Sequence, residues 1–269
     1  MSEPLLLLER DGDVATLTFN DPERRNAMSQ AMGEAFAARM AELTRDEELR
    51  AVVFTGAGRA FSAGGDLGMI EARAREGAAD PEGAHTSIRD RMRAFYGLFL
   101  SLRDLPCPTV AAINGAAVGA GLCVALACDV RVASQTAKLG LNFTALGLQP
   151  GMGATWTLPR LVGPAHAAEL LYSSRLLTGA EAAEIGLVNR AVAAEAVVAS
   201  ARKMAEAFAA SGPLAVRGVK RALAQSPVAS LEEQLDFEAE VQAHCFASED
   251  VHEGLAAVRE KRAPRFRGR

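Results

Sequence analysis

The sequence predicts an α/β fold followed by an α-helical region, and three observations carry that prediction. Short apolar runs ending in Asn or Gly recur through the first half of the chain, and stretches with apolar residues at helical spacing separate them. After Gly153 the strand signals fade and the chain becomes Ala-rich helix. Strands first and helices later suggests an α/β core with a helical tail. The 269 residues, 49% hydrophobic and 23% charged, are enough for a large globular core.

Taken in order, Val14–Phe19 alternates like a half-buried strand, and Ala51–Thr55, Thr109–Ile113 and Asp129–Ala133 are short apolar strand runs. Met28–Leu43 and Ile88–Leu102 carry apolar residues at helical spacing among strong helix formers. Between them Glu71–Ser87, polar and interrupted by Gly77, Pro81 and Gly83, is expected to be a mobile surface segment, either a lid or an ordinary solvated excursion. Beyond Gly153 the expected helices are Ala165–Tyr172, Ala180–Ile185, Glu195–Ala210, Leu214–Ala224, Leu231–Ala247 and Val251–Glu260. Gly212-Pro213 and Ser226-Pro227 mark boundaries between them.

Several function classes are disfavoured at once. A net charge of -4 gives no electrostatic reason to expect nucleic acid or an anionic membrane as partner. Cys107, Cys123, Cys128 and Cys245 have no CxxC spacing, and His85, His166, His244 and His252 show no zinc-ligand spacing, so no metal site is expected. Met1-Ser2-Glu3-Pro4 has no basic leader, and Leu5–Leu8 is too short to span a bilayer, so a cytoplasmic protein is expected. The P-loop and GxSxG motifs are missing, and Gly119-Ala-Gly121-Leu-Cys-Val124 has valine where a dinucleotide fingerprint needs glycine.

Two glycine-rich turns remain, Phe61-Ser-Ala-Gly-Gly-Asp-Leu67 and Asn114-Gly-Ala-Ala-Val-Gly-Ala-Gly121, the second running into the small-residue helix Leu122–Ala127. Small residues let a ligand approach backbone N–H groups, and the first turn of a helix has donors without an internal partner, so the two turns together can stabilise an anion. The alternative is that these glycines serve only tight turns and close packing.

The same motifs, with others in register, resemble the enoyl-CoA hydratase/isomerase (crotonase) superfamily. Asp21-Pro22-Glu23-Arg24-Arg25-Asn26-Ala27 and Thr55–Leu67 look like its first signature, and Pro108–Asp129 like its second. Leu148–Gly151, Leu158–Gly163, Leu177–Glu181, Gly186–Asn189 and Glu260–Phe266 continue the order over nearly the whole chain. The resemblance implies a spiral of ββα turns over 1–195 carrying an acyl-CoA site, and a C-terminal α-helical trimerisation region over 196–269. It also implies a homotrimer or a dimer of trimers. Coenzyme A would enter as part of the substrate, with no other cofactor.

Carried over by motif, the oxyanion donors are the backbone N–H groups of Gly65 and Ala120. The adenine and pantetheine contacts fall on Arg24, Ala27, Ala63, Asp66 and Leu67, and Lys261 is placed near the nucleotide phosphates. An Asp after Gly-Gly equally suits a helix cap, and Lys261 equally suits a solvated charge cluster. The pattern breaks where the family's hydratases carry two glutamates: the first position is Cys123 and the second Phe143. The turn after Pro150, where other members carry an acid, is Gly151-Met152-Gly153. A thiol with apolar neighbours and a phenyl ring are not a general acid/base pair at neutral pH. Cys123 therefore reads as packing and Phe143 as a wall of the acyl pocket.

Three readings stay open. An acid or base supplied from elsewhere, with Glu71, His85 and Asp90 as candidates, would restore hydratase or isomerase chemistry. Oxyanion-hole chemistry alone would support isomerisation, decarboxylation or C–C cleavage. A non-catalytic acyl-CoA-binding pseudoenzyme would need neither.

Overall fold

The computed structural model describes residues 3–269; Met1 and Ser2, at the head of the segment read above for a leader, lie outside the described residues. The chain opens with an antiparallel pair, β1 (Leu6–Asp11) and β2 (Val14–Phe19). Helix α1 (Gln30–Thr44) follows, capped by Ser29, whose hydroxyl accepts from the Met32 N–H. Three units then repeat one plan of long strand, short strand and helix. The first is β3 (Ala51–Gly56), β4 (Ala60–Ser62), α2 (Leu67–Ala79) and α3 (Gly83–Leu100). The second is β5 (Thr109–Ile113), β6 (Ala116–Val118) and α4 (Ala120–Ala127). The third is β7 (Val130–Ser134), β8 (Lys138–Gly140) and α5 (Ala154–Ser173), which is broken at Gly163 next to Pro164. This is the expected ββα spiral. Then come β9 (Leu177–Thr178), α6 (Gly179–Glu184), β10 (Arg190–Val192), α7 (Val197–Ala209), α8 (Pro213–Gln225), α9 (Leu231–Phe246) and α10 (Glu249–Glu260).

The long strands form a six-stranded sheet in the order β1-β2-β3-β5-β7-β10, parallel from β2 onward; the short ones form a second sheet, β4-β6-β8-β9. Each unit therefore turns a corner between sheets. At one corner Asn114 does the work of a turn: its side-chain amide donates to the Gly56 and Gly58 carbonyls at 2.8 and 3.1 Å.

Strands buried on both faces explain the unbroken apolar runs of the sequence. Val52, Phe54, Ala111 and Ile113 face one core, while Ala51, Val53, Val110 and Ala112 face another. The first core is anchored by stacked and edge-on rings, Phe19 on Phe36 at 5.6 Å, Phe36 on Phe99 at 5.7 Å and Phe95 on Phe99 at 5.3 Å. The second is closed by α7, whose Val197, Ala201 and Ala205 are fully buried. The boundary expected at 195/196 thus falls just before a helix that seals the main sheet.

Two expectations change. The segment Glu71–Ser87 is not a loop: it is the body of α2, a turn at Asp80-Pro81-Glu82 and the first residues of α3. Its Ala, Arg and Glu are strong helix formers, Glu71 pairs with Arg75 one turn on at 3.2 Å, and only Pro81 breaks the run. The second is the short edge: Leu6–Leu8, seen only as a run too short for a membrane, starts strand β1, and no described helix is long and apolar enough to cross a membrane.

Candidate functional site

The second signature folds as a strand that stops short at Val118 and a helix that starts at Ala120, with Gly119 between them at φ 53°. The first signature does the same at β4, where Gly64 takes φ 97° before Gly65. The two turns touch. A methyl group on Gly64 would stand 2.6 Å from the Val118 carbonyl oxygen and 3.7 Å from the Ala120 nitrogen, and one on Gly121 would stand 2.6 Å from the Ser62 side chain. Only glycine permits this approach, so the packing reading of these glycines is correct as far as it goes.

Packing does not use up the donors. The Gly64 N–H is taken by the Ser62 hydroxyl at 3.1 Å and the Gly119 N–H by the Gly140 carbonyl at 2.8 Å. Among the described residues the N–H groups of Gly65 and Ala120 have no protein acceptor. Ala120 is the first residue of α4, where the helix itself offers no partner and its dipole favours negative charge.

The residues expected to hold the coenzyme gather around the first turn. The stretch Arg25–Met28 lies along Ala63–Asp66: the Ala63 N–H donates to the Arg25 carbonyl at 2.9 Å and the Met28 N–H to the Gly64 carbonyl at 2.8 Å. This contact is fixed by Asn26, fully buried, which donates to the Ala57 and Ala60 carbonyls and accepts from the Asp21 N–H. Arg24, Ala27, Ala63, Asp66 and Leu67 are thereby neighbours. Arg24 is exposed and is held by Asp21 at 2.7 Å, with Asp66 at 3.8 Å. Asp66 caps α2, accepting from the Met69 N–H at 2.9 Å, and Leu67 is left 66% exposed. Lys261 stands apart at the exposed end of α10, which packs on α9.

Cys123 lies one helical turn beyond Ala120 and is buried; its thiol points to the Gly151 carbonyl at 3.7 Å, and burial pushes it up to about 12. It is a neutral thiol at any physiological pH. Phe143 is half-buried against the main core, just beyond β8 and Asn142. The candidate acids of the α2–α3 segment are not buried at the site. Glu71 and Asp90 are exposed and paired with Arg75 and Arg89, and His85 is exposed.

One polar group at the site escaped the sequence reading. The Tyr96 hydroxyl lies so close over Gly151 that a methyl there would stand 2.4 Å from it, and it has no hydrogen-bond partner among the described residues. Burial first, then Cys123, pushes the phenol above its ordinary value, while the Arg73 cation acts in the opposite direction. A cleft of about 420 Å³ opens between α1, α2 and α3, lined by Met69, Arg73, Glu76, Arg91 and Phe95. Neither this cleft nor the larger hollows, about 1060 Å³ at the C-terminal tail and about 820 Å³ along α8, contain a residue of either glycine turn.

Known proteins can now be set beside this geometry. The profile of the enoyl-CoA hydratase/isomerase family matches residues 9–269. A probable enoyl-CoA hydratase of Mycobacterium tuberculosis is 37% identical over 268 residues, 99% of each chain. A 1,2-epoxyphenylacetyl-CoA isomerase of Escherichia coli is 35% identical over 257 residues, 95% of each. The crystal structure of an enoyl-CoA hydratase from Bacillus anthracis superposes with a TM-score of 0.89 at 34% identity, covering 99% of this chain and 100% of that one.

Proposed function

Because the chain belongs to the enoyl-CoA hydratase/isomerase family, we propose that it is an acyl-CoA enzyme that stabilises a thioester enolate between the N–H groups of Gly65 and Ala120. The observation that carries this reading is the pair of touching glycine turns with two donors left without a protein acceptor. A thioester carbonyl placed there gains hydrogen bonds that strengthen as its oxygen becomes an enolate, and it meets the positive end of α4. The coenzyme would lie over Arg24, Ala27, Ala63, Asp66 and Leu67. Asp66 acts through its cap and through Arg24 rather than by touching an anion itself, since two negative groups would repel.

Ordinary hydration needs a general base and a general acid on one water. The neutral Cys123 thiol and the Phe143 ring supply neither. The reading therefore favours chemistry in which the enolate is the main event: isomerisation, decarboxylation or C–C cleavage.

The test is a panel of crotonyl-CoA and longer enoyl, dienoyl and malonyl-type thioesters, followed for turnover and thermal shift together. Turnover of any of them without hydration of crotonyl-CoA is the expected result. Rapid hydration of crotonyl-CoA would refute the argument from the missing glutamates. Stabilisation by every thioester with turnover of none would make the protein an acyl-CoA binder.

Assembly belongs to the same proposal. Helix α9 has no buried residue in the single chain, and Val219, Leu223, Leu231 and Phe246 on α8 and α9 are all more than half exposed. Copies of the same chain would cover this face, as in the expected trimer or pair of trimers. A monomer by light scattering at micromolar concentration would refute it.

A further inference from the structure

Beside Cys123 and Gly151 the structure places a proton donor, the Tyr96 hydroxyl. Tyr96 reaches this place because α3 buries Phe95 and Phe99 in the ring cluster, which leaves the next residue along from Phe95 turned toward α4 and the turn at Gly151. There its hydroxyl meets two groups that cannot compete for its proton: a buried neutral thiol, Cys123, and the Gly151 backbone, whose carbonyl already faces that thiol. Cys123 follows Ala120 by three helical residues, a rise of about 4.5 Å along α4. That rise is the length of a few carbon–carbon bonds. Arg73, which makes no ion pair among the described residues, stands over Phe95 at 5.5 Å, close enough for its charge to act on the phenol. The carboxylate that lines the same cleft as Arg73, Glu76, is already held by Arg91, and Glu71, His85 and Asp90 are exposed.

An acid beside a carboxylate already committed to Arg91 suits an enolate that forms without losing a proton. Resting on the acyl-CoA reading above, we propose that Tyr96 protonates the α-carbon of an enolate produced by loss of CO2 from a malonyl-type acyl-CoA. The bond between the α-carbon and the carboxylate breaks, CO2 leaves, and the electron pair passes into the thioester, where the oxyanion is held by Gly65 and Ala120. The pair then returns to the α-carbon and forms a C–H bond with the proton of the Tyr96 hydroxyl. The phenolate left behind is stabilised by Arg73 and takes a proton from water, so the net change is one proton consumed and one CO2 released. A phenol that stays protonated at neutral pH is suited to giving a proton and unsuited to removing one.

The test uses methylmalonyl-CoA in D2O with the wild type, Y96F and G151A, following CO2 release, binding, and the configuration of deuterium at C2 of the product. Gly151 is not in a left-handed conformation, so alanine there displaces the Tyr96 hydroxyl rather than straining the backbone. We expect the wild type to release CO2 and give one C2 configuration. Y96F should bind within about threefold but turn over roughly 100-fold more slowly, the lower end for a lost general acid, with mixed configuration from solvent protonation. G151A should show the same defects in milder form, which keeps the test decisive if Y96F folds poorly. Wild-type turnover and stereochemistry in Y96F would overturn the proposal. So would a wild type that binds or transforms other thioesters yet releases no CO2, and this leaves the acyl-CoA reading intact. Only a wild type that responds to no thioester would sink both.

Discussion

Gly64→Ala is the sharpest test of the two-turn geometry. Gly64 adopts φ 97°, outside the small left-handed region that other residues tolerate, and an added methyl would stand 2.6 Å from the Val118 carbonyl oxygen, against backbone rather than a side chain that can swing away. Backbone strain of this kind costs about 1–3 kcal/mol and overpacking about 1–3 kcal/mol more. Taking roughly 4 kcal/mol for the two, and about 2 °C per kcal/mol for a chain of this size, Tm should fall by around 8 °C. The functional cost is separate. The peptide between Gly64 and Gly65 carries the Gly65 N–H, and losing one oxyanion donor reduces kcat by about 10²–10³. Gly12→Ala is the control, because Gly12 has φ 58° and nothing within 4 Å of an added methyl. It should cost only the left-handed strain, about 1–2 kcal/mol, and leave kcat unchanged. Both variants are measured by thermal unfolding and by turnover of whichever thioester the wild type accepts. If G64A kept a kcat within threefold of G12A, the claim that the Gly65 N–H works because of the contact with Val118 would fail.

Arg24→Ala removes an exposed guanidinium held by Asp21 and Asp66. Acyl-CoA affinity should drop about tenfold with kcat unchanged, and the gap should narrow at high salt, as titration calorimetry at two ionic strengths would reveal. Phe36→Ala takes out the ring shared by Phe19, Phe54 and Phe99 and should cost about 3–5 kcal/mol in urea unfolding; a loss below about 1.5 kcal/mol would mean that this cluster is not the centre of the core. The thiols set a pH dependence. Burial raises Cys107 to about 11 and Cys123 and Cys128 to about 12, from an ordinary value of 9.0. Their contribution is complete below about pH 8.5; above it the unfolded thiols ionise while the folded ones do not, so stability falls as pH rises toward 11 or 12. The limiting slope is about 1.4 kcal/mol per pH unit for each thiol, roughly 4 for all three. Replacing all three by alanine should flatten urea midpoints between pH 9 and 10.5, and an unchanged slope would show that the thiols are not the cause.

What was legible in the sequence is what depends on neighbours along the chain. Val14–Phe19 reads as a strand by its alternation and Ala51–Thr55 and Thr109–Ile113 as short apolar runs, and the structure extends only one of the three, by a single residue. The two glycine turns stood out because only such residues allow a strand to end against a helix start. The short strands β4, β6, β8 and β9 were not legible: with two or three residues each, they exist only because the long strands hold them in register as a second sheet. The helix α2 was misread because its composition is polar. It has no buried residue, so no apolar period betrays it, and local propensity with the Asp66 cap forms it.

The site divides in the same way. The sequence by itself determined that Gly65 and Ala120 stand in small-residue turns, and its resemblance to the family's hydratases gives the expectation that Cys123 and Phe143 stand where those carry glutamates. Only the tertiary structure decided that the two turns touch, that among the described residues Gly65 and Ala120 keep their N–H groups without an acceptor, and that Glu71, His85 and Asp90 are exposed. Tyr96 lay hidden for the same physical reason. A tyrosine beside two buried phenylalanines reads as core, and its hydroxyl meets Gly151 only when α3 is laid against α4, with Cys123 and Gly151 standing 27 and 55 positions further along the chain. Backbone turns announce themselves locally, whereas a side chain's partner across a core is chosen by packing.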